Sequence, residues 1–146
     1  RHLGVQAIGH DKLNQLRHAR FLEEGARLPE HMAAHGALMG PKFELVEKKL
    51  AEELAEADIA TWTNPRGGYF VSFEGPVGTA HRIVELAREA GVTMTGAGAT
   101  WPYGDDPADS NIRIAPSLPP LEELEEAMDV FTCCVKLAAL EQLIEG

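Results

Sequence analysis

The sequence predicts an α+β fold, a two-layer sandwich with helices on one face of a small, mostly antiparallel sheet, preceded by a helical lead-in. Three observations predict it. Apolar residues recur at spacings of three and four over residues 43–57 and 121–138. Shorter runs at 59–62, 69–73, 92–95 and 111–115 are too brief for helices and read as strands. After residue 58 these pieces follow the order β-β-α-β-β-α. A chain of 146 residues with 45% hydrophobic content is long enough to bury the core such a fold needs.

Taken in order, Asp11 can cap a helix whose Leu13, Leu16 and Phe21 fall roughly on one side, and Gly25 is placed to stop it. A short helix follows Pro29, through His31 to Leu38, and Gly40-Pro41 then punctuates the chain. The expected boundary lies there, between a lead-in of residues 1–40 and a compact domain of residues 41–146. Phe43, Val46, Leu50, Leu54 and Ala57 form the inner stripe of an amphipathic helix. Strands at 59–62 and 69–73 flank the turn Asn64-Pro65-Arg66-Gly67-Gly68. A helix from Thr79 to Ala90 turns Ile83, Val84 and Ala87 inward and ends at Gly91, where left-handed backbone is needed. Strands at Val92–Thr95 and Asn111–Ala115 follow. Pro119-Pro120 starts a last helix to about Ile144 with Leu121, Leu124, Met128, Phe131, Val135 and Ala138 inward.

The formal charge of -10, from 13 basic and 23 acidic side chains, repels a phosphate backbone and argues against nucleic acid as a partner. The start is basic by contrast, with four Lys/Arg against one Asp in residues 1–20. No run of eighteen apolar residues could span a membrane and no apolar secretion signal opens the chain, so a cytoplasmic protein is expected. Adjacent Cys133 and Cys134 diverge by about 100° on a helix, which makes buried thiols the expectation and a mutual disulfide a strained alternative. The opening at Arg1, without methionine, leads us to expect a fragment.

Arg113 is the main candidate site residue. It stands in the run Asn111-Ile112-Arg113-Ile114-Ala115-Pro116-Ser117, opposite in face to Ile112 and Ile114. A permanently charged planar fork on a strand suits bidentate capture of a carboxylate. On spacing alone, a solvent-facing arginine or a structural ion pair is the simpler account. Trp101 and Tyr103, between Gly98 and Gly104, could line a pocket or anchor their own loop. Gly68, beside Gly67, could relieve a tight turn or admit a ligand close to the backbone. Arg66 is a weaker candidate for holding an anion.

Other constellations carry less. His31 and His35 have the i, i+4 spacing of a zinc helix, but Met32 stands where a metalloprotease helix carries its glutamate and no third ligand stands out, so no metal site is assigned. Glu122, Glu123, Glu125 and Glu126 crowd a helix start, where they complement the dipole. No P-loop, dinucleotide fingerprint or nucleophile elbow occurs.

Together Asn64–Phe70, Gly98–Gly104 and Asn111–Ser117 resemble the C-terminal part of fold-type I pyridoxal-phosphate aminotransferases, in the bacterial branch labelled alanine-glyoxylate or MocR-like. These segments are similar to that family's Gly-Gly-aromatic entry strand, its substrate-side loop and the segment bearing its substrate-carboxylate arginine. Asp11–His18 resembles the helical region after the family's cofactor lysine. The resemblance implies that this chain is the small domain plus its lead-in, with Arg113 binding the substrate α-carboxylate. Amino acid and 2-oxo acid would be the substrates, with aspartate or glutamate as the candidate donors. Pyridoxal 5'-phosphate would be held mainly by the large domain of the same chain, and the whole would be a homodimer. Lys12, Lys42, Lys48, Lys49 and Lys136 lie in no context similar to that of the cofactor lysine. No catalytic or cofactor-binding residue is therefore assigned within the fragment, which alone is expected to be inactive. A freestanding amino-acid-binding or regulatory module is the alternative, and a purely structural domain a third reading. The apolar lead-in, which a compact module would not need, speaks against both.

Overall fold

The computed structural model describes residues 11–145, so residues 1–10 of the expected lead-in lie outside it. The chain divides into two compact units, Arg1–Leu38 and Met39–Gly146. Among the described residues the helices are α1 (Lys12–Phe21), α2 (Leu28–Leu54), α3 (Ala80–Glu89) and α4 (Leu121–Glu145), and the strands are β1 (Thr61–Trp62), β2 (Val71–Glu74) and β3 (Asn111–Ile114). The fold is α+β with a helical lead-in, as the periodicities predict. No helix among the described residues is long and apolar enough to cross a membrane.

In the first unit, the Asp11 carboxylate accepts the Asn14 N–H at 2.9 Å and so caps α1 as expected. Leu13, Leu16 and Phe21 are all exposed, so the apolar side of α1 meets no core within its unit. The helix ends at Phe21, before Gly25, which lies in a following 3-10 turn at φ +103°. Phe21 meets His31 edge-on with centroids 5.4 Å apart, and the Arg27 guanidinium lies 5.6 Å from the Phe21 ring centre.

The expected break at Gly40-Pro41 is not a break. Helix α2 runs unbroken through Pro41. A proline there withholds an N–H from the carbonyl four residues back and costs about 3 kcal/mol in a helix interior. Beyond it, Val46, Leu50 and Leu54 are wholly buried, and that burial offsets the local loss.

In the second unit the sheet order is β1-β2-β3, antiparallel throughout. The β2–β3 register pairs Val71 with Ile114 and Phe73 with Ile112, all buried against Val46, Leu50 and Leu54 of α2, Ile83 and Ala87 of α3, and Leu124, Met128, Phe131 and Val135 of α4. Phe73 and Phe131 meet edge-on at 5.1 Å. The alternate positions pair Ser72 with Arg113 and Glu74 with Asn111, so the other face of the sheet is polar. Ion pairs bind the helices together. Lys49 reaches Asp129 and Glu125 at 2.7 and 3.1 Å, and Arg82 forks onto Glu141 at 2.8 and 2.9 Å. That fork holds the Glu141 carboxyl below its ordinary pKa.

Several expectations are corrected. Val92–Thr95 joins no ladder, so among the described residues the sheet has three strands, not four. The Val92 N–H instead bonds the Ala87 carbonyl at 2.8 Å and closes α3 around Gly91, at φ +93°. Val92 and Met94 still alternate inward as half-buried residues. β1 and β2 are shorter than the runs 59–62 and 69–73 that foretold them. Leu121, at the first residue of α4, is 45% exposed. Only Cys134 is buried, which pushes its thiol pKa up, whereas Cys133 faces outward and both are free. Adjacent helical residues cannot share a face, so one thiol had to leave the core.

Candidate functional site

Arg113 rises from the polar face of the sheet. Its guanidinium carbon lies 4.4 Å from the centre of the Phe70 ring, a cation–π contact that sets the plane of the fork. Its Nε is buried and has no hydrogen-bond partner among the described residues. No carboxylate lies within ion-pairing reach among those residues, although eight such contacts occur elsewhere. A buried N–H without an acceptor is costly, so this Nε is a strained point of the sheet's polar face.

Around Arg113 lies a polar network. Asn111, 6% exposed, donates through Nδ2 to the Ser72 Oγ at 2.9 Å and the Glu74 Oε1 at 2.5 Å, and its Oδ1 accepts from the Thr100 hydroxyl at 2.5 Å. Ser110 donates to the other Glu74 oxygen at 2.8 Å. Asp106 holds the entry to β3, accepting the backbone N–H of Ser110 and Asn111 at 2.9 Å and of Ala108 at 3.0 Å. Those backbone donors, Asn111 foremost, hold its carboxyl below the usual carboxylate range, against the opposing effect of burial. Because the folded-state pKa is depressed, the resulting stability is present above the ordinary value of 3.8 and lost as pH falls through the lower folded value. Asp106→Asn is therefore expected to lower the melting midpoint at pH 7 and to flatten its decline below about pH 4. Parallel melting curves of wild type and variant down to pH 2 would contradict this assignment.

On the far side of β3, the Lys42 ammonium donates to the carbonyls of Ser117 and Pro119, each at 2.7 Å, and ties α2 to the loop that leaves the arginine strand. Asp109, in the loop before β3, meets the first turn of α3, where its Oδ1 accepts the His81 N–H at 3.1 Å and contacts the His81 ring at 2.6 Å.

The other candidates are placed as follows. Gly68 has φ +94° with open space where a Cβ would stand, so backbone conformation and not close approach requires glycine there. Arg66 is exposed in the same turn. Trp101 is 45% exposed and Tyr103 fully so, at φ +62°, on a loop closed by the Trp101 N–H to Gly98 O and Gly104 N–H to Trp101 O bonds at 2.9 and 3.1 Å. Gly98 is indispensable to that closure, since a Cβ would stand 2.2 Å from the Gly104 carbonyl oxygen. An apolar cavity of about 320 Å³ lies away from these groups, lined by residues including Met94, Ile114, Pro116 and Phe131. The His31 and His35 rings lie 6.1 Å apart, and no group of three potential metal ligands occurs among the described residues.

Sequence reasoning did not assign Asn111, Thr100 or Phe70 a place in the site. A period of two already put Asn111 on Arg113's face and Phe70 on the approach to its partner strand. Which groups fill their contacts depends on distant residues.

The lysines are placed as follows. Lys42 is held by two carbonyls, Lys48 by Glu52, Lys49 by Asp129 and Glu125, and Lys136 by Glu53, while Lys12 lies exposed on α1.

Comparison with known proteins gives a consistent result. The family model described as aspartate amino-transferase matches residues 1–146. The aspartate aminotransferase of Corynebacterium glutamicum is 49% identical over 140 residues, covering 96% of this chain and 32% of that relative. A solved aspartate transaminase structure from the same species superposes with a TM-score of 0.88 at 49% identity, over 97% of this chain and 33% of that one. The α-aminoadipate aminotransferase of Thermus thermophilus shares the fold at 21% identity, with a TM-score of 0.71 over 88% of this chain and 32% of its own. The chain thus spans about a third of the length of the curated relative it matches.

Proposed function

The chain belongs to the aspartate amino-transferase family, and from that premise we propose that it is the small domain of a longer aminotransferase, with Arg113 binding the substrate α-carboxylate. Residues 1–40 lead in from the large-domain side and residues 41–146 form the small domain. The parent enzyme moves an amino group between an amino acid, aspartate or glutamate foremost, and a 2-oxo acid, and works as a cytoplasmic homodimer. The family implies pyridoxal 5'-phosphate. The lysines of this chain do not fit its attachment, so the large domain would hold it, and the fragment alone is inactive.

The observation that carries this reading is the state of Arg113. Its guanidinium lies over the Phe70 ring and has no carboxylate partner among the described residues. A substrate carboxylate would engage the guanidinium with two parallel charge-assisted hydrogen bonds. Held there, the α-carboxylate orients the bonds at the substrate Cα, an effect that can be worth several kcal/mol of barrier. Trp101, Tyr103 and the turn at Gly68 would complete the substrate-facing wall.

Assay of the full-length enzyme with aspartate or glutamate and a 2-oxo acid should show transfer of the amino group to new amino acid. Absence of transfer across a panel of amino acids and 2-oxo acids would sink the reading.

A further inference from the structure

We propose that the Thr100–Asn111 hydrogen bond is a positioning latch that fixes the aromatic loop 96–104 against the Arg113 face and thereby sets substrate affinity and preference. This rests on the reading that Arg113 binds the substrate carboxylate. Three observations carry it.

The polarity of the Asn111 amide is determined by its neighbours. Nδ2 faces the Glu74 carboxylate and the Ser72 hydroxyl, so a flipped amide would set its carbonyl against a carboxylate. Oδ1 must therefore face the loop as an acceptor, and the Thr100 hydroxyl fills it.

The loop behaves as one piece. Its Gly98–Trp101 and Trp101–Gly104 backbone bonds close it, and the near contact of Gly98 with the Gly104 carbonyl leaves no room for a side chain inside. Ala97 packs at the edge of the core, but among the described residues the Thr100 bond is the one hydrogen bond that joins residues 96–104 to the sheet.

The latch lies on the right face. Asn111 and Arg113 are two apart on β3, so both side chains leave the sheet on the same side, and Ser72, which Asn111 grips, is the cross-strand partner of Arg113. A substrate bound to Arg113 by its carboxylate would present its side chain toward a loop whose Trp101 and Tyr103 are otherwise exposed. Thr100 is exposed and can be altered without opening the core. It acts through the loop and is a positioning residue.

The test uses the full-length enzyme with Thr100→Val, Thr100→Ser and Arg113→Ala, assayed with aspartate, glutamate and alanine. Loss of one hydrogen bond predicts that Thr100→Val raises KM about 3–10-fold, with kcat changed less than about twofold and the ratio of kcat/KM among the three donors altered. Thr100→Ser, which keeps the hydroxyl, should restore both. A merely structural threonine would shift the melting midpoint and leave the KM ratios alone. Wild-type KM values in Thr100→Val, or equal damage in the serine and valine variants, overturn the latch. If those results coincide with a strong effect of Arg113→Ala, the carboxylate reading stands and the latch alone falls. An unaffected Arg113→Ala overturns both.

Discussion

Arg113→Ala in the full-length enzyme is expected to lower kcat/KM for amino acid donors by roughly 10²–10⁴-fold, with KM rising and kcat falling together. The fork would make two charge-assisted hydrogen bonds worth about 1.5–3 kcal/mol each, and about 1.4 kcal/mol corresponds to a factor of ten. Both parameters move because the contact binds the substrate and also orients it. Arg113→Lys should recover only part of the loss, since an ammonium keeps the charge without the planar fork that Phe70 holds in place. A primary amine lacking a carboxylate supplies the control, because its slow turnover should be the same in wild type and variant. Steady-state kinetics that show unchanged KM and kcat for aspartate and glutamate would remove Arg113 from the site.

Phe73→Ala should have the largest effect on stability, lowering it by about 3–5 kcal/mol. Phe73 is wholly buried on β2, meets Phe131 edge-on at 5.1 Å, and pairs across the ladder with Ile112. Its truncation removes apolar burial, leaves a cavity at the junction of sheet and helix, and forfeits an aromatic pair worth about 0.5–1.5 kcal/mol. Against a typical domain stability of about 5–15 kcal/mol this is a large share. Phe73→Leu, which keeps most of the volume, should cost far less. Denaturant midpoints with unchanged slope are the measurement. Because Phe73 and Phe131 touch, the double alanine variant should lose less than the sum of the single losses. Strict additivity would show that the two rings do not act as a pair.

The helices of the second unit were legible because their burial is periodic. Val46, Leu50 and Leu54, and likewise Leu124, Met128, Phe131 and Val135, are buried as their spacing foretold. β2 and β3 were legible for the same reason at a period of two, which also assigned Arg113 to the face opposite Ile112 and Ile114. Val92–Thr95 misled because alternation reports which side chains turn inward and not whether the backbone finds a ladder. Its first N–H is spent on closing α3. Pro41 misled in the opposite sense, since a local breaker was read as a helix end where the helix continues.

By itself the sequence determined the fold class, the buried face of each main helix and strand, the side of the sheet from which Arg113 leaves, and the family resemblance carried by three short segments. All of these follow from spacing along the chain and from residue identity. Only the tertiary structure decided that Phe70 stacks on that guanidinium, that its Nε lies buried without an acceptor, and that the Asn111 amide joins Ser72, Glu74 and Thr100. The reason is that polar groups are satisfied by whatever the folded chain brings within about 3 Å. Those partners come from other strands and loops, where no local pattern records them.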